Sequence, residues 1–250
     1  MKFLGIIPAR YASTRFPGKP LADIGGKLMI QRVYEQVLSC LDDAWVATDD
    51  ERILKAVENF GGKAVMTSDK HRSGTDRCLE ASLKIGGDYE VVINIQGDEP
   101  FIQDKQIEAI KSCFNKPETK LATLVKPFTV KDGMEALLNS NSPKVVLNVR
   151  GEAMYFSRSV VPFLRGVPQD EWLEKGRFYK HIGIYAYRRE TLSEIAALPQ
   201  SPMELAESLE QLRWLENGYR IQTAITDIEN LAVDTPEDLD RIRIYLKSKF

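Results

Sequence analysis

The feature that most constrains the fold is an alternation of short apolar runs with stretches of helical periodicity. Residues 3–7 form an apolar run, and apolar residues then recur at helical spacing from Leu28 to Leu41. A second run covers residues 44–48, and a second helical pattern follows it to Phe60. Runs that are apolar throughout are typical of strands buried on both faces. This order predicts a mostly parallel sheet with right-handed crossovers, and therefore a doubly wound α/β fold.

The pattern changes in the second half of the chain, where strand-like segments follow one another with little helix between them. They cover residues 144–149, 152–157 and 181–187, and Gly151 lies where the first two would form a hairpin. This series predicts an inserted antiparallel β lobe at about residues 125–187. The 250 residues contain no Ser/Gly/Pro-rich linker, so one domain over residues 1–250 is expected to carry the lobe. Farther on, residues 202–217 predict a single amphipathic helix.

Charge and cysteine content narrow the classes of function. The net charge is −2 and the pI is near 5.9, so a nucleic-acid partner is not expected and any positive field must be local. The three cysteines fit no metal or redox spacing, which favours reduced thiols in the cytosol. Pro8 and Arg10 cut the first apolar run too short for a signal peptide or a membrane span. We therefore expect a soluble, cytoplasmic protein without a membrane partner.

A cationic loop follows the first apolar run, where Pro8 is expected to end the strand because it has no amide proton. Arg10, Arg15 and Lys19 lie within ten residues, and Ser13, Thr14 and Gly18 are interleaved with them. Arginine and lysine side chains at the carboxyl end of a strand suit a polyanion such as a triphosphate. A solvated basic loop is the alternative. Neither G-x-x-x-x-G-K-S/T nor G-x-G-x-x-G occurs there, so side chains rather than a glycine cradle would hold a nucleotide.

Carboxylates follow the strongest predicted strand of the chain. Residues 89–95 run directly into Gln96, Gly97, Asp98 and Glu99. Aspartates in this position are common magnesium ligands, because hard oxygen ligands suit the ion and bound phosphates complete its octahedron. A turn-capping aspartate is the alternative. The two carboxylates, Asp98 and Glu99, are expected beside the cationic loop, and this favours the magnesium interpretation.

Three further sets of polar residues have a functional and a structural interpretation. Residues 73–77 offer hydroxyls and amides before a helix, or form an ordinary N-cap. His181 and Tyr185 fall on one face of a strand, where they and Arg158 could line an acceptor pocket or belong to a plain hairpin face. Asp234 precedes Thr235 and Pro236, which predict an N-cap and a first helical residue, so it could be a mere helix-start carboxylate.

Residues 7–21 resemble the signature loop of the sugar cytidylyltransferases, most closely those that act on 3-deoxy-manno-octulosonate (Kdo). Similar segments recur in the family's order at residues 46–49, 73–77, 96–100, 155–158, 181–185, 209–213 and 233–239. They span nearly the whole chain, which makes the set far more specific than any one motif. The resemblance implies a fold like that of the nucleotide-diphospho-sugar transferases, which is Rossmann-like. Phe16 replaces a commoner leucine, a minor departure.

The resemblance also implies an activity and a set of site residues. The reaction would be attack of the anomeric hydroxyl of Kdo on the α-phosphate of CTP, giving CMP-Kdo and pyrophosphate for lipopolysaccharide biosynthesis. The implied catalytic residues are Lys19, Arg10, Arg15 and Asp98, with Mg²⁺ on Asp98 and Asp234. The implied nucleotide-binding residues are Ala9, Arg10, Ser13, Arg15, Lys19, Ser73, Gly74, Arg77 and Gln96. The implied Kdo-binding residues are Arg158, His181, Tyr185, Glu210 and Gln211, and a homodimer built through the lobe is implied as well.

Three alternatives stay open at this point. A cytidylyltransferase for another acidic sugar, such as a sialic acid, would differ in its acceptor contacts, and residues 181 and 209–213 favour the octulosonate. A catalytically silent nucleotide-binding regulator is a different class, and the presence of both Asp98 and Asp234 argues against it. Kdo and its 8-amino variant differ at one substituent, which could depend on a single contact.

Overall fold

The computed structural model describes residues 1–12, 16–228, 233 and 235–247, with side chains to residue 244. Within them lie nine strands: β1 (Phe3–Ala9), β2 (Asp43–Thr48), β3 (Ala64–Met66), β4 (Val91–Asn94), β5 (Leu121–Pro127), β6 (Lys144–Leu147), β7 (Ala153–Ser157), β8 (Tyr179–Arg188) and β9 (Gln222–Ile225). The α-helices are α1 (Met29–Leu38), α2 (Glu51–Asn59), α3 (Gly74–Ile85), α4 (Asp104–Ser112), α5 (Gly133–Leu138), α6 (Trp172–Lys175), α7 (Arg189–Ala196), α8 (Pro202–Glu207), α9 (Gln211–Glu216) and α10 (Pro236–Lys247).

The chain divides into two compact units. The first comprises Met1–Ile107, Tyr187–Ala196 and Asn230–Phe250, and the second comprises Glu108–Ala186 and Ala197–Glu229. The expectation of one domain with a lobe at about residues 125–187 stays a prediction. Within the described part of the chain, no helix is both long enough and apolar enough to cross a membrane. All three cysteines lie in that part and form no disulfide there.

The first unit is built on four parallel strands in the order β3, β2, β1, β4. The strand β1 pairs with β2 on one side and with β4 on the other, and six of its seven residues are buried. Asp50 accepts a hydrogen bond from the Arg52 amide and caps α2, as its position before the helical pattern predicts. The doubly wound, mostly parallel fold predicted from the alternation of strands and helices is confirmed.

One boundary of β1 differs from the prediction, since the strand continues through Pro8 to Ala9. Pro8 has a register partner in β2, Ala47, whereas β4 pairs with β1 only as far as Ile6. The Ile6 carbonyl accepts from the Ile95 amide on the β4 side, and residues two apart in a strand point the same way. The amide proton that Pro8 lacks would therefore point past the end of β4, so its absence removes no ladder hydrogen bond.

The second unit contains the antiparallel strands predicted for the lobe. The strand β6 pairs antiparallel with β7 and β8, and Gly151 lies in the β6–β7 turn with φ of 74°. The strands β5 and β9 run parallel in the same unit. The expectation of little helix among these strands is confirmed, because α5 precedes β6 and, among the described α-helices, only α6, with four residues, lies between β7 and β8. A capping box, in which Thr129 and Asp132 bond reciprocally, precedes α5.

The single helix predicted over residues 202–217 is in fact two helices, α8 and α9. Ser208 separates them in the left-handed region with φ of 51°, which is uncommon for a residue other than glycine. Distant contacts hold this turn, since Arg158 donates to the main-chain carbonyls of Glu207 and Ser208 at 2.7 and 3.3 Å. The helical periodicity of residues 202–217 predicts helix correctly, but it contains no information about these distant partners.

Candidate active site

The cationic loop begins where β1 ends and is closed by a hydrogen bond at its base. The Gly18 amide donates to the Tyr11 carbonyl at 2.9 Å, and Gly18 has φ of 72°, which favours glycine. Ala9 is buried and Arg10 is exposed. The Arg52 guanidinium stacks over the Tyr11 ring at 3.3 Å from its centroid, a contact that sequence reasoning missed. The predicted residues Ser13 and Arg15 lie outside the described residues.

Lys19 and Asp98 are brought together, although 79 residues separate them in the chain. The Lys19 ammonium donates to Asp98 Oδ2 at 2.7 Å, and their side chains are 14% and 29% exposed. Gly97 lets the turn after β4 pack against the end of β1, because a Cβ at that position would lie 2.8 Å from the Pro8 carbonyl oxygen. The predicted phosphate-binding cation and the predicted metal-binding carboxylate thus meet at the ends of neighbouring strands. Gln96 lies in the same turn and is partly exposed.

The second predicted metal ligand, Asp234, lies outside the described residues, but the residue before it is described. The Val233 amide donates to the Asp98 carbonyl at 3.0 Å. Val233 also belongs to a buried apolar cluster with Ile24, Met29, Leu239 and Ile242. The α10 helix begins at Pro236, and Thr235 Oγ1 accepts from the Asp238 amide, so the predicted N-cap is confirmed. The chain on both sides of residue 234 is therefore held by specific contacts.

The described part of the chain holds no cluster of three or more His, Cys, Asp or Glu residues that could bind a metal alone. Asp98 offers a partly exposed carboxylate, which is the hard oxygen donor that Mg²⁺ prefers. Magnesium sites in nucleotide enzymes commonly use one or two carboxylates and take their other ligands from phosphates and water. The chemistry of the donors therefore fits Mg²⁺ bound together with a nucleotide, rather than a metal site closed by protein ligands.

A second polar feature lies at the start of α3. Ser73 Oγ accepts from the Asp76 amide at 3.1 Å, which confirms the N-cap interpretation. Gly74 begins the helix, and a Cβ there would lie 3.4 Å from Asn94 Nδ2. Asn94 is buried, and its side-chain carbonyl oxygen has no hydrogen-bond partner among the described residues. Sequence reasoning missed Asn94, although its place at the end of β4, two residues before Gln96, was a usable signal.

Arg77 is placed differently from a ligand-facing cation. The residue is 1% exposed, and its guanidinium donates to Thr67 Oγ1 at 2.6 Å and to Asp49 Oδ2 at 2.7 Å. These contacts tie α3 to the segments that follow β2 and β3. Arg77 therefore supports the framework of the first unit, and direct contact with a nucleotide stays a prediction.

In the second unit, His181 and Tyr185 lie on one face of β8, as the strand alternation predicts. Their ring centroids are 5.3 Å apart. The Phe156 ring meets the His181 ring edge-on at 5.1 Å, and the Trp214 ring meets that of Tyr185 at 5.0 Å. Burial of the imidazole lowers the pKa of His181 to about 3, so the side chain is neutral at physiological pH. The site offers neutral hydrogen-bonding groups set among aromatic rings.

Gln211 also belongs to this unit and is the first residue of α9. It is 5% exposed, and its side-chain nitrogen has no hydrogen-bond partner among the described residues. An amide buried in this state lowers stability unless a ligand satisfies it. Glu210 precedes it, partly exposed, with a carboxylate oxygen 3.7 Å from Arg213 Nη2. The buried amide of Gln211 is thus suited to binding a polar ligand.

The Arg158 guanidinium contacts main-chain carbonyls rather than the aromatic rings around His181 and Tyr185. Its guanidinium donates to the carbonyls of Glu207, Ser140 and Ser208 at 2.7, 3.0 and 3.3 Å. The carboxylate of Glu207 in turn accepts from the Arg158 amide and from Ser157 Oγ. Arg158 therefore holds the turn between α8 and α9, and its predicted binding of the Kdo carboxylate stays a prediction.

Known proteins resemble this chain in sequence and in fold. A family model described as cytidylyltransferase matches residues 4–224. The chain is 65% identical to the 3-deoxy-manno-octulosonate cytidylyltransferase of Bacteroides thetaiotaomicron and covers 100% of both chains. It is 64% identical to the protein of the same name from Parabacteroides distasonis, again over 100% of both. A solved structure of CMP:2-keto-3-deoxy-manno-octonic acid synthetase complexed with CTP matches with a TM-score of 0.91 and 42% identity over 100% of both chains.

Proposed function

The chain belongs to the cytidylyltransferase family, and from this premise we propose that it transfers CMP from CTP to the anomeric hydroxyl of Kdo, giving CMP-Kdo and pyrophosphate. The observation that carries the proposal is the full-length similarity to relatives of that name and to a synthetase solved with CTP. The candidate residues Ala9, Gln96 and Asp98 lie at or just after strand ends, where ligands bind in open α/β sheets, and this supports the proposal. We place the reaction in lipopolysaccharide biosynthesis.

The nucleotide would be bound by the cations of the first unit. Transfer of a phosphoryl group depends mainly on positioning and on neutralising charge at the phosphate oxygens. Lys19 and the loop arginines Arg10 and Arg15 supply that charge for the triphosphate and for the pyrophosphate that leaves. The ammonium of Lys19 already lies 2.7 Å from Asp98, so a bound phosphate would share this cation with the carboxylate. Asn94 and the helix start at Ser73 and Gly74 add neutral hydrogen-bonding groups.

Asp98 and Asp234 would hold Mg²⁺. The Val233 amide on the Asp98 carbonyl supports this pairing, because it ties the residue before Asp234 to Asp98. When bound, the ion would neutralise charge on the phosphates and lower the pKa of the attacking hydroxyl. No described side chain near Asp98 stands out as a strong general base, which fits a reaction that does not require one.

The acceptor sugar would be bound in the second unit by His181, Tyr185, Glu210 and Gln211. The uncharged His181 and Gln211 suit the hydroxyl groups of a sugar, since a hydroxyl can both donate and accept a hydrogen bond. For Arg158 to bind the sugar carboxylate, its guanidinium would have to exchange one of its three main-chain acceptors for the ligand.

Two further properties belong to the proposal. We place the protein in the cytoplasm, where CTP is available, as a homodimer that binds neither nucleic acid nor membrane. The net charge of −2 supports the expected absence of a nucleic-acid surface. Analytical ultracentrifugation at several protein concentrations would test the dimer, and a concentration-independent monomer mass would contradict it.

The decisive experiment follows pyrophosphate release from CTP, Mg²⁺ and Kdo. Parallel reactions replace CTP by ATP, GTP or UTP, and replace Kdo by sialic acid or 8-amino-Kdo. We expect release only when CTP, Mg²⁺ and Kdo are all present. Release with the amino sugar alone would change the acceptor but not the reaction. Binding of CTP without release under any combination would instead favour the regulator.

The metal assignment is tested by Asp98→Asn, which keeps the size of the side chain and removes its charge. We expect turnover to fall about a thousandfold, the upper end for loss of one group that stabilises the transition state. The residual activity should require a higher Mg²⁺ concentration, measured by titrating the ion against pyrophosphate release. Asp104→Asn, an exposed aspartate in the same unit, is the control and should behave as wild type. An unchanged Mg²⁺ requirement in Asp98→Asn would remove Asp98 from the metal site.

A further inference from the structure

Thr123, which no sequence motif singled out, contacts the ring of His181. It lies in β5 and is fully buried. Its hydroxyl oxygen is 3.1 Å from His181 Nε2, 2.8 Å from the Ile184 carbonyl oxygen and 3.2 Å from the Ile182 carbonyl oxygen. A single hydroxyl group thus has three polar neighbours, and all of them lie in the second unit.

These three distances determine which atom carries each proton. A threonine hydroxyl has one hydrogen and two lone pairs, and a carbonyl oxygen can only accept. If the hydroxyl donated to the imidazole, its oxygen would face the Ile184 carbonyl at 2.8 Å with no proton between two lone pairs. The hydroxyl must therefore donate to the main-chain carbonyls, which leaves its oxygen as an acceptor. His181 Nε2 then carries a proton and donates it to Thr123.

The other ring nitrogen follows from the charge of the ring. The partly buried imidazole is neutral at physiological pH, so it holds one proton, and that proton is on Nε2. Nδ1 is then a bare acceptor, and it has no hydrogen-bond partner among the described residues. The Phe156 and Tyr185 rings beside it fix the orientation of the imidazole. Nδ1 is therefore a hydrogen-bond acceptor in a fixed orientation, available to a donor group of a ligand.

We propose that Thr123 is a positioning residue that holds His181 in the Nε2-protonated tautomer, so that Nδ1 accepts a hydrogen bond from a hydroxyl group of the acceptor sugar. This inference rests on the proposed function and deepens it. A neutral imidazole with a bare Nδ1 repels a carboxylate, so the acid group of the sugar binds to other residues. The site thereby requires a donor at this point of the acceptor, which is a specificity that a charged histidine would not impose.

The tautomer can be observed directly, because the chain contains only two histidines, His71 and His181. Uniform ¹⁵N labelling of histidine gives two imidazoles in the spectrum, and His71→Gln identifies the signals of His181. At neutral pH we expect His181 to show a protonated Nε2 and an unprotonated Nδ1. In Thr123→Val, which removes the hydroxyl but keeps the shape, the two tautomers should mix. Thr123→Ser should restore the wild-type spectrum.

The kinetic consequence should be confined to the acceptor. We expect Thr123→Val to raise the KM for Kdo about tenfold, the effect of losing one well-placed hydrogen bond, and to leave the KM for CTP unchanged. Thr123→Ser should return the KM for Kdo to near the wild-type value. Thr223→Val is a matched control, since Thr223 pairs with Thr123 across β5 and β9 and donates to the Gly151 carbonyl, without contacting His181.

The outcomes separate this inference from the proposed function. Wild-type protein that is inactive with Kdo but shows the Nε2-protonated tautomer would contradict the function and keep the positioning role of Thr123. Active wild-type protein with the proton on Nδ1 would overturn the inference and keep the function. Equal effects of Thr123→Val and Thr223→Val on the KM for Kdo would also overturn it. If Thr123→Val does not fold, the wild-type and Thr123→Ser spectra decide the tautomer.

Discussion

The two candidate binding regions differ in the charge of their side chains. In the first unit the candidate groups are charged, and the partly exposed Lys19 is paired with the partly exposed Asp98. In the second unit the groups are neutral, and aromatic rings surround His181 and Tyr185. Charged groups can be kept near the surface because they neutralise one another. A neutral group can be buried without a counter-charge, as Gln211 is, or partly buried, as His181 is.

This difference separates affinity from selectivity. Charge on a phosphate chain is recognised at some distance and with little regard to geometry, so the first region gains strength from its number of cations. A neutral donor or acceptor in a buried place responds to a single missing hydroxyl, because the unmatched group then stays unsatisfied. We therefore expect variants of the first region to lose turnover, and variants of the second to lose discrimination between acceptors.

After Asp98→Asn, the largest effect is expected for Lys19→Ala, which tests the charged side of the comparison. Turnover should fall at least about a hundredfold, because one phosphate-clamping cation is lost. The melting temperature should fall by no more than about 3 °C, since a partly exposed ion pair contributes little to stability. Lys27→Ala is the control, because that exposed lysine also pairs with a carboxylate, Glu35. Near-wild-type turnover in Lys19→Ala would remove Lys19 from the site.

A smaller and more selective effect is expected for Gln211→Leu, which tests the neutral side. The KM for Kdo should rise about tenfold, while the KM for CTP stays unchanged. The melting temperature should stay equal or rise slightly, because the substitution removes a buried amide nitrogen that lacks a partner. Gln106→Leu removes another such nitrogen in a helix of the chain and should leave both KM values unchanged. A KM for CTP that rises together with that for Kdo would erase the contrast between the regions.

The smallest expected effect is a decrease in the free energy of unfolding at acid pH that depends on His181. Its pKa is about 3 in the folded chain and 6.5 in the ordinary state. Between these two pKa values the unfolded chain binds the proton and the folded chain does not. The contribution of His181 to the free energy of unfolding is therefore fully present above about pH 6.5 and decreases as the pH falls toward 3. The slope is at most about 1.4 kcal/mol per pH unit. Urea unfolding between about pH 7 and pH 5 should show a shallower decline for His181→Asn than for wild type. Identical slopes would contradict a neutral, buried imidazole.

The measurement is kept above pH 5 because two carboxylates change the free energy of unfolding at lower pH. Hydrogen bonds from Lys84, Ser68 and His71 lower the pKa of Glu80 to about 2 despite its partial burial, and those from Lys126 and Thr129 do the same for Asp132. Their stabilisation is present above the ordinary pKa values of 4.5 and 3.8 and is lost as the pH falls toward 2. A measurement above pH 5 is therefore not affected by these two carboxylates and is suited to His181.

The sequence predicted the parallel sheet and the charged region well, because their signals are local. Apolar runs, N-caps at Asp50 and Ser73, and the position of Lys19 after β1 can all be recognised within a few residues. The meeting of Lys19 with Asp98 followed from parallel strands that end at the same edge. Even the proline that was expected to end β1 fails to do so only because β4 ends three residues before β1 on that side.

What the sequence could not reveal depends on distant partners. Arg158 is separated by 50 residues from Ser208, and this contact holds the left-handed turn that divides one periodic segment into two helices. Lys144 is buried with its ammonium on the carbonyls of Asn139, Ser142 and Arg158, and that burial lowers its pKa. Thr123 stands in an ordinary strand, and only its distance to His181 gives it a role. No periodicity or motif encodes such pairs.

The bond between the Val233 amide and the Asp98 carbonyl has a consequence for the order in which the molecule can be made. A ribosome releases the nucleotide loop and Asp98 early, whereas the cluster that holds Val233 also needs Leu239 and Ile242, more than 200 positions after Ile24. The residues of the second unit emerge in between. A nascent chain interrupted before residue 233 would therefore carry the signature loop and Asp98 but lack the contact that holds the residue before Asp234. With Asp98 and Asp234 as the proposed Mg²⁺ ligands, we expect such a fragment not to consume CTP, so interrupted synthesis would not produce an unregulated enzyme.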